Sequence, residues 1–143
     1  MFIGEFHHTL DEKFRFSFPK KFRNDLENGF VITRGVDNCL LVYTNSEWED
    51  FANNVSMLPL TNKSARDFQR HILSGAVEIQ LDKTGRAILP EHLRNFANIK
   101  KDIVIAGIGD KIEIWSEEEW MKRITEISKS SDNIANSMEG LGI

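Results

Sequence analysis

One hundred and forty-three residues, 41% hydrophobic and 28% charged, describe one ordinary globular domain or two very small ones and exclude wholesale disorder. With 18 Lys and Arg against 22 Asp and Glu the net charge is −4, so the overall field does not favour a polyanion and any such partner needs a local, repeated basic patch. A single cysteine, Cys39, excludes an intrachain disulfide and metal sites of the Cys-x-x-Cys type; no apolar run approaches the ~20 residues of a membrane span, and MFIGEFHH lacks the pattern of a signal peptide, so a cytoplasmic protein is expected.

Residues 2–10 read as a first strand, followed by a tight turn. In the next strand Phe14, Phe16 and Phe18 alternate, which places Arg15 and Ser17 on the opposite face. Pro19 stands where a helix accepts Pro at its first position, and that short helix is expected to end near Gly29. FVITRG and CLLVY then form two strands. Thr44-x-x-Glu47 is a capping box that starts a helix, and Trp48 directly behind it is expected in the core. A linking helix follows, with Ala65, Phe68 and Ile72 on one face and Lys63, Arg66 and Arg70 on the other. Gly75 would end it.

The same series then recurs. A strand over residues 76–81 leads into Asp82-Lys83-Thr84-Gly85, with Asp first and Gly fourth as a type I turn prefers. Pro90 opens a short helix, IVIAG and IEIW form strands, and Ser116-x-x-Glu119 caps a helix that carries Trp120, also expected in the core. From Ser128 onward the chain is polar and weakly patterned, so a frayed tail is expected, with Leu141 and Ile143 able to dock.

The recurrence is a true internal repeat. LDEKFRFSFPKKFR at 10–23 matches LDKTGRAILPEHLR at 81–94 through Leu10, Asp11, Arg15, Pro19 and Arg23, all offset by 71. Downstream the offset is 72, with Gly35, Leu40, Tyr43 and Trp48 against Gly107, Ile112, Trp115 and Trp120. Two units are too few for a solenoid and are expected to pack into one closed core. The divisions are a first unit at 5–47, a linking helical segment at 48–75, a second unit at 76–119, and a C-terminal helix and mobile tail at 120–143.

Asp11 with Arg15, and Asp82 with Arg86, admit two readings. One is a structural ion pair that holds a hairpin. The other is a guanidinium fork fixed at the hairpin edge for phosphate or guanine. Residues 11–23 hold five Lys and Arg (Lys13, Arg15, Lys20, Lys21, Arg23) against two acids, inside a chain that is otherwise strongly acidic. Lys83 and Arg94 extend that patch in the second unit. The four histidines lack metal-site spacing, and no phosphate loop, nucleophile elbow or zinc motif is present. No cofactor, no small-molecule substrate and no catalytic activity are expected. A metal-dependent nuclease using Asp11 and Asp82 is disfavoured, because each has an Arg beside it.

Taken together, the tandem Leu-Asp-x-x-x-Arg-x-x-x-Pro-x-x-x-Arg, the linker LPLTNKSARDFQRHILSGA and the paired capped helix starts resemble the bacterial MraZ family over nearly the whole chain, from about Phe2 to about Ile127. The resemblance implies an α+β, mainly β fold: two tandem AbrB-like swapped-hairpin units packed into one barrel-like body with flanking short helices. It implies a DNA-binding transcriptional regulator of the division and cell-wall gene cluster, including its own operon, which forms a ring-shaped homo-oligomer on the nucleoid. It places DNA contacts at Asp11, Arg15, Asp82 and Arg86; Lys13, Lys20, Lys21, Arg23, Lys83 and Arg94 extend that site on electrostatic grounds. A ring presents its hairpins in one orientation, so double-stranded DNA with direct repeats about one helical turn apart is the expected partner. The alternative function is an antitoxin-like protein-interaction module without DNA readout. One departure stands out: the family usually has Gly before the motif Arg, as at Gly85, but the first unit has Phe14. Either the first turn takes a different conformation, or that position has negative φ and needs no Gly.

Overall fold

The computed structural model describes residues 1–143. The first unit contributes β1 (Phe2–Thr9), β2 (Arg15–Ser17), α1 (Lys20–Leu26), β3 (Phe30–Arg34), β4 (Leu40–Thr44) and α2 (Asn45–Ser56). After α3 (Lys63–Leu73) the second unit contributes β5 (Val77–Ile79), β6 (Arg86–Ile88), α4 (Glu91–Phe96), β7 (Asp102–Gly109), β8 (Ile112–Ser116) and α5 (Glu117–Lys129), followed by α6 (Ser131–Ser137). The fold is α+β, as expected, with six short helices around the strands.

The two units exchange strands. Six strands form one antiparallel sheet in the order β1-β7-β8-β4-β3-β5, and β2 with β6 forms a separate two-stranded ribbon. Thus β1 of the first unit pairs with β7 of the second, and β5 of the second pairs with β3 of the first. The order reads the same from either edge when the units are interchanged. Neither unit alone would satisfy the backbone groups of its strands, so the repeat is cooperative by construction.

The main core joins both units in a single cluster of 19 buried residues. Phe16 and Phe18 of the ribbon strand and its exit pack edge-on, and Phe18 meets Phe30 of β3 at 5.3 Å between ring centres. Ala87 and Leu89 bring the second unit's ribbon strand into the same cluster. Gly107 sits in β7 opposite Gly4, where a Cβ would stand only 2.4 Å from the Ile3 backbone nitrogen. The β1–β7 pairing therefore requires Gly there. Cys39 is buried with Trp115 and Trp120 in a second, smaller cluster, and burial pushes its thiol pKa far up. It is a core residue and not a nucleophile.

Several local expectations are met in detail. Thr44 Oγ1 accepts from the Glu47 N–H at 3.2 Å, and Ser116 Oγ from the Glu119 N–H at 3.1 Å. Pro19 and Pro90 occupy the N-cap, one residue before the expected first helical position. α3 ends at Leu73 with Ser74 as its cap, so Gly75 directly follows the helix end as expected, though without a positive φ. Gly75 also makes room for Arg34, whose Nε donates to the His71 carbonyl at 3.0 Å. The polar tail forms α6, none of whose residues is buried, and Leu141 and Ile143 remain exposed rather than docked. That stretch offers too little apolar surface to hold them.

Trp48 and Trp120 are not equivalent. Trp120 is 8% exposed and packs on Trp115. Trp48 is only half-buried and lies beside Tyr43 and Phe51, of which Phe51 is half-buried as well. Trp120→Ala is expected to cost about 3–5 kcal/mol, and Trp48→Ala clearly less, as measured by urea unfolding. The indole N–H of Trp120 has no acceptor, so Trp120→Phe should melt close to the native protein. Equal losses for Trp48→Ala and Trp120→Ala would contradict this packing.

Candidate nucleic-acid interface

The β2–β6 ribbon brings the two Asp-x-x-x-Arg motifs together. Register places Arg15 opposite Ile88 and Ser17 opposite Arg86, with Phe16 and Ala87 facing the core between them. The outer face therefore carries Arg15, Ser17, Arg86 and the exposed Ile88. Strand alternation is what puts both arginines on one side.

Each Asp builds its own turn. Asp11 Oδ1 accepts from the Lys13 and Arg15 backbone N–H groups at 2.8 and 2.9 Å, while Oδ2 accepts from Arg15 Nε at 2.7 Å. Asp82 Oδ1 accepts from the Thr84 and Arg86 N–H groups, each at 2.9 Å, and from the Thr84 hydroxyl at 2.8 Å. Arg86 Nε donates to Thr84 Oγ1 at 2.8 Å and lies 3.4 Å from Asp82 Oδ2. Arg86 Nη1 also lies 3.8 Å from Asp11 Oδ2, which links the units in one charge cluster. The contacts differ between the units: Asp11 engages Arg15 on its Nε side, whereas Arg86 is held at Nε by Thr84 and turns Nη1 toward Asp11.

The two turns have the same shape despite their different residues. Phe14 N–H donates to the Asp11 carbonyl at 2.9 Å, and Gly85 N–H to the Asp82 carbonyl at 3.0 Å. Phe14 has φ 60 and Gly85 φ 80. Both sequence-based alternatives for Phe14 are therefore corrected: neither a different turn nor negative φ occurs, and Phe adopts the left-handed conformation itself. Phe14 also departs from the alternation expected with Phe16 and Phe18. It lies in the turn, ahead of β2, and the residue is 38% exposed.

Arg23 and Arg94 support the turns crosswise. Arg23 Nε donates to the Phe18 carbonyl at 3.0 Å and lies over Gly85 of the other unit. Arg94 Nε donates to the Leu89 carbonyl at 2.9 Å, and its guanidinium carbon stands 3.5 Å from the centre of the Phe14 ring. Lys13, Lys20 and Lys83 are exposed beside the ribbon or at the α1 start. Lys21 is drawn elsewhere, with Nζ 5.0 Å from the Phe6 ring on β1. The Lys63, Arg66 and Arg70 stripe is a solvated helix face: Asp67 pairs with Lys63 and Arg70, and Arg66 binds the Leu60 carbonyl. Sequence reasoning missed Thr84, whose hydroxyl bridges Asp82 and Arg86, although its place inside an Asp-led turn is a readable signal. It also missed Ile88, whose exposure depends on its pairing with β2.

Hydrogen bonding controls the charge state of the cluster. The Arg86 N–H and then the Thr84 hydroxyl hold Asp82 down at about 2. The Arg15 N–H, its guanidinium and the Lys13 N–H hold Asp11 below the usual carboxylate range. Both are thus anions at neutral pH. A carboxyl whose pKa falls on folding stabilises the fold above its unfolded value, near 3.8, and that contribution disappears as pH falls through the folded value. Carboxyl NMR titration is expected to show Asp82 ionised until about pH 2, with loosening of the turn amides below that point. Titration of Asp82 near 3.8 would contradict the hydrogen-bonded turn.

Comparison with known proteins bears on the whole chain. A family model described as "MraZ protein, putative antitoxin-like" matches residues 1–71 and again residues 72–140. Proteins named Transcriptional regulator MraZ are similar along their full length: that of Alkaliphilus oremlandii is 47% identical over 143 residues, and that of Clostridium beijerinckii 48% over the same span, with 100% of both chains covered in each comparison. That of Clostridium tetani is 47% identical with the same coverage. These relatives are named as regulators and not as enzymes. On the two tandem matches and the full-length identity, the chain belongs to the MraZ family.

Proposed function

We propose that this protein is a sequence-specific DNA-binding transcription regulator that reads the duplex with the β2–β6 ribbon. The observation that carries the reading is the convergence of Arg15 and Arg86, each oriented by its own Asp, on one outer ribbon face. A two-stranded ribbon fits the major groove of B-DNA, and guanidinium forks match guanine acceptors and phosphates. Arg23, Arg94, Lys13, Lys20 and Lys83 flank that face and serve the backbone. Asp11 and Asp82 orient the arginines.

A single subunit offers few cations within a chain of net charge −4, so oligomerisation completes the reading. Several copies on one duplex make later contacts intramolecular and raise avidity about 10²–10⁴-fold. Exposed apolar side chains at the α2–α3 connection, Met57 and Leu60, are suited to contacts between copies. In this reading the protein is a ring-forming homo-oligomer associated with the nucleoid in the cytoplasm. It binds direct repeats upstream of its own operon in the division and cell-wall gene cluster. The antitoxin-like wording of the family description favours one second reading, a protein-interaction module.

Salt separates the two. DNA affinity should fall steeply as salt rises, in proportion to the phosphates contacted, whereas a protein-interaction module would depend on salt weakly. Arg15→Ala and Arg86→Ala should each weaken operator binding by on the order of 1–3 kcal/mol without lowering the melting temperature appreciably. Arg→Lys at either place should also impair binding, because Lys lacks the planar fork. Wild-type affinity in both Ala variants would overturn the site.

Deleting one repeat, or shifting its spacing by half a turn, should reduce binding sharply in a gel-shift titration. Full affinity for one isolated repeat would contradict the oligomeric mechanism.

A further inference from the structure

Pseudo-symmetry makes the ribbon nearly the same from either end. Asp11, Arg15 and Arg23 have Asp82, Arg86 and Arg94 as counterparts, and the turns share their hydrogen bonds. The forks alone give such a reader no direction, although Ser17 on the outer face has the exposed Ile88 as its counterpart. Phe14 against Gly85 breaks the equivalence at the turn itself.

Three observations show that Phe14 is not an ordinary packing residue. Its φ of 60 is a conformation that a bulky L-residue rarely adopts and glycine adopts freely. The residue is 38% exposed and is absent from both buried clusters, so its ring does not fill the core. The structure nevertheless holds that ring in place, with the Arg94 guanidinium against it at 3.5 Å and the Phe14 carbonyl accepting from the Leu89 N–H at 2.9 Å. A residue that opposes its own backbone, leaves much of its ring in solvent and is clamped from the other unit fits an outward contact. It directly precedes Arg15. In the major groove, the apolar feature a ring can recognise is the thymine C5-methyl group.

We propose that Phe14, clamped by Arg94, is a specificity-determining residue that contacts a thymine methyl group at one end of each recognition element and so sets the direction in which the ribbon lies on DNA. This rests on the DNA-binding reading above. It gives one subunit a polarity that its repeated motifs lack.

The test uses the full-length protein and a duplex it selects from a random-sequence pool. Each thymine is replaced in turn by deoxyuridine, which removes only the methyl group. Wild type is expected to lose affinity at one or two positions on a single flank, by about fourfold for each methyl group, the worth of burying one such group. Phe14→Gly should bind the unmodified duplex more weakly by a similar factor and be indifferent to deoxyuridine at those positions. It should melt at or above the wild-type temperature, because Gly85 shows that glycine suits this turn. Phe14→Asn, which also tolerates the left-handed region, should bind like Phe14→Gly. Identical affinity and deoxyuridine profiles for wild type and Phe14→Gly would overturn the inference, as would wild-type indifference to every deoxyuridine. Unimpaired binding by an Arg15→Ala/Arg86→Ala double variant would instead overturn the ribbon as the DNA-contacting site, and the absence of any DNA binding by the wild type would overturn the DNA-binding reading itself.

Discussion

Antiparallel pairing of β2 with β6 is the constraint on which the rest depends. Each is a strand of three residues, too short to persist alone. Their pairing brings two copies of one motif, 71 residues apart in the chain, into a single charge cluster. It also seats Phe16 and Ala87 on the shared core, so the same alternation that buries those two side chains turns Arg15 and Arg86 outward. Stability of the body and presentation of the site are two faces of one ribbon.

Local electrostatics explain how an acidic chain can carry a surface for a polyanion. The carboxylates within the site do not simply cancel its arginines. Asp11 and Asp82 are saturated mainly by backbone N–H groups of their own turns, and each engages or lies near its Arg on the Nε side. Much of their negative charge is thus taken up by the turn amides. Glu12 is exposed in the first turn, while Asp37 beside Arg123 and Asp67 between Lys63 and Arg70 pair within other elements.

The repeat, the capped starts of α2 and α5, and the Asp-x-x-x-Arg turns were legible in sequence because each is a short-range pattern. Strand exchange was reached through family resemblance; the spacing of residues does not reveal that β1 pairs with β7 or β5 with β3. What could not be read depended on contacts between distant residues. Trp48 and Trp120 occupy equivalent sequence positions, but Trp120 packs on Trp115 in a buried cluster while Trp48 lies beside the half-buried Phe51. The left-handed Phe14 runs against local propensity and is supported by Arg94, 80 residues away. Gly75 follows the end of α3 as the sequence suggests, but the room it leaves for Arg34 was not readable there.

The central claim is that the two motifs act as one interface. A double-mutant cycle on DNA affinity, with Arg15→Ala, Arg86→Ala and both together, tests it most directly. Because Arg86 approaches the Asp11 that orients Arg15, the expected result is that each single change weakens binding and that the two are coupled by more than about 0.5 kcal/mol. Additive losses would contradict a composite interface, and the absence of any loss would contradict the ribbon as the site of DNA contact.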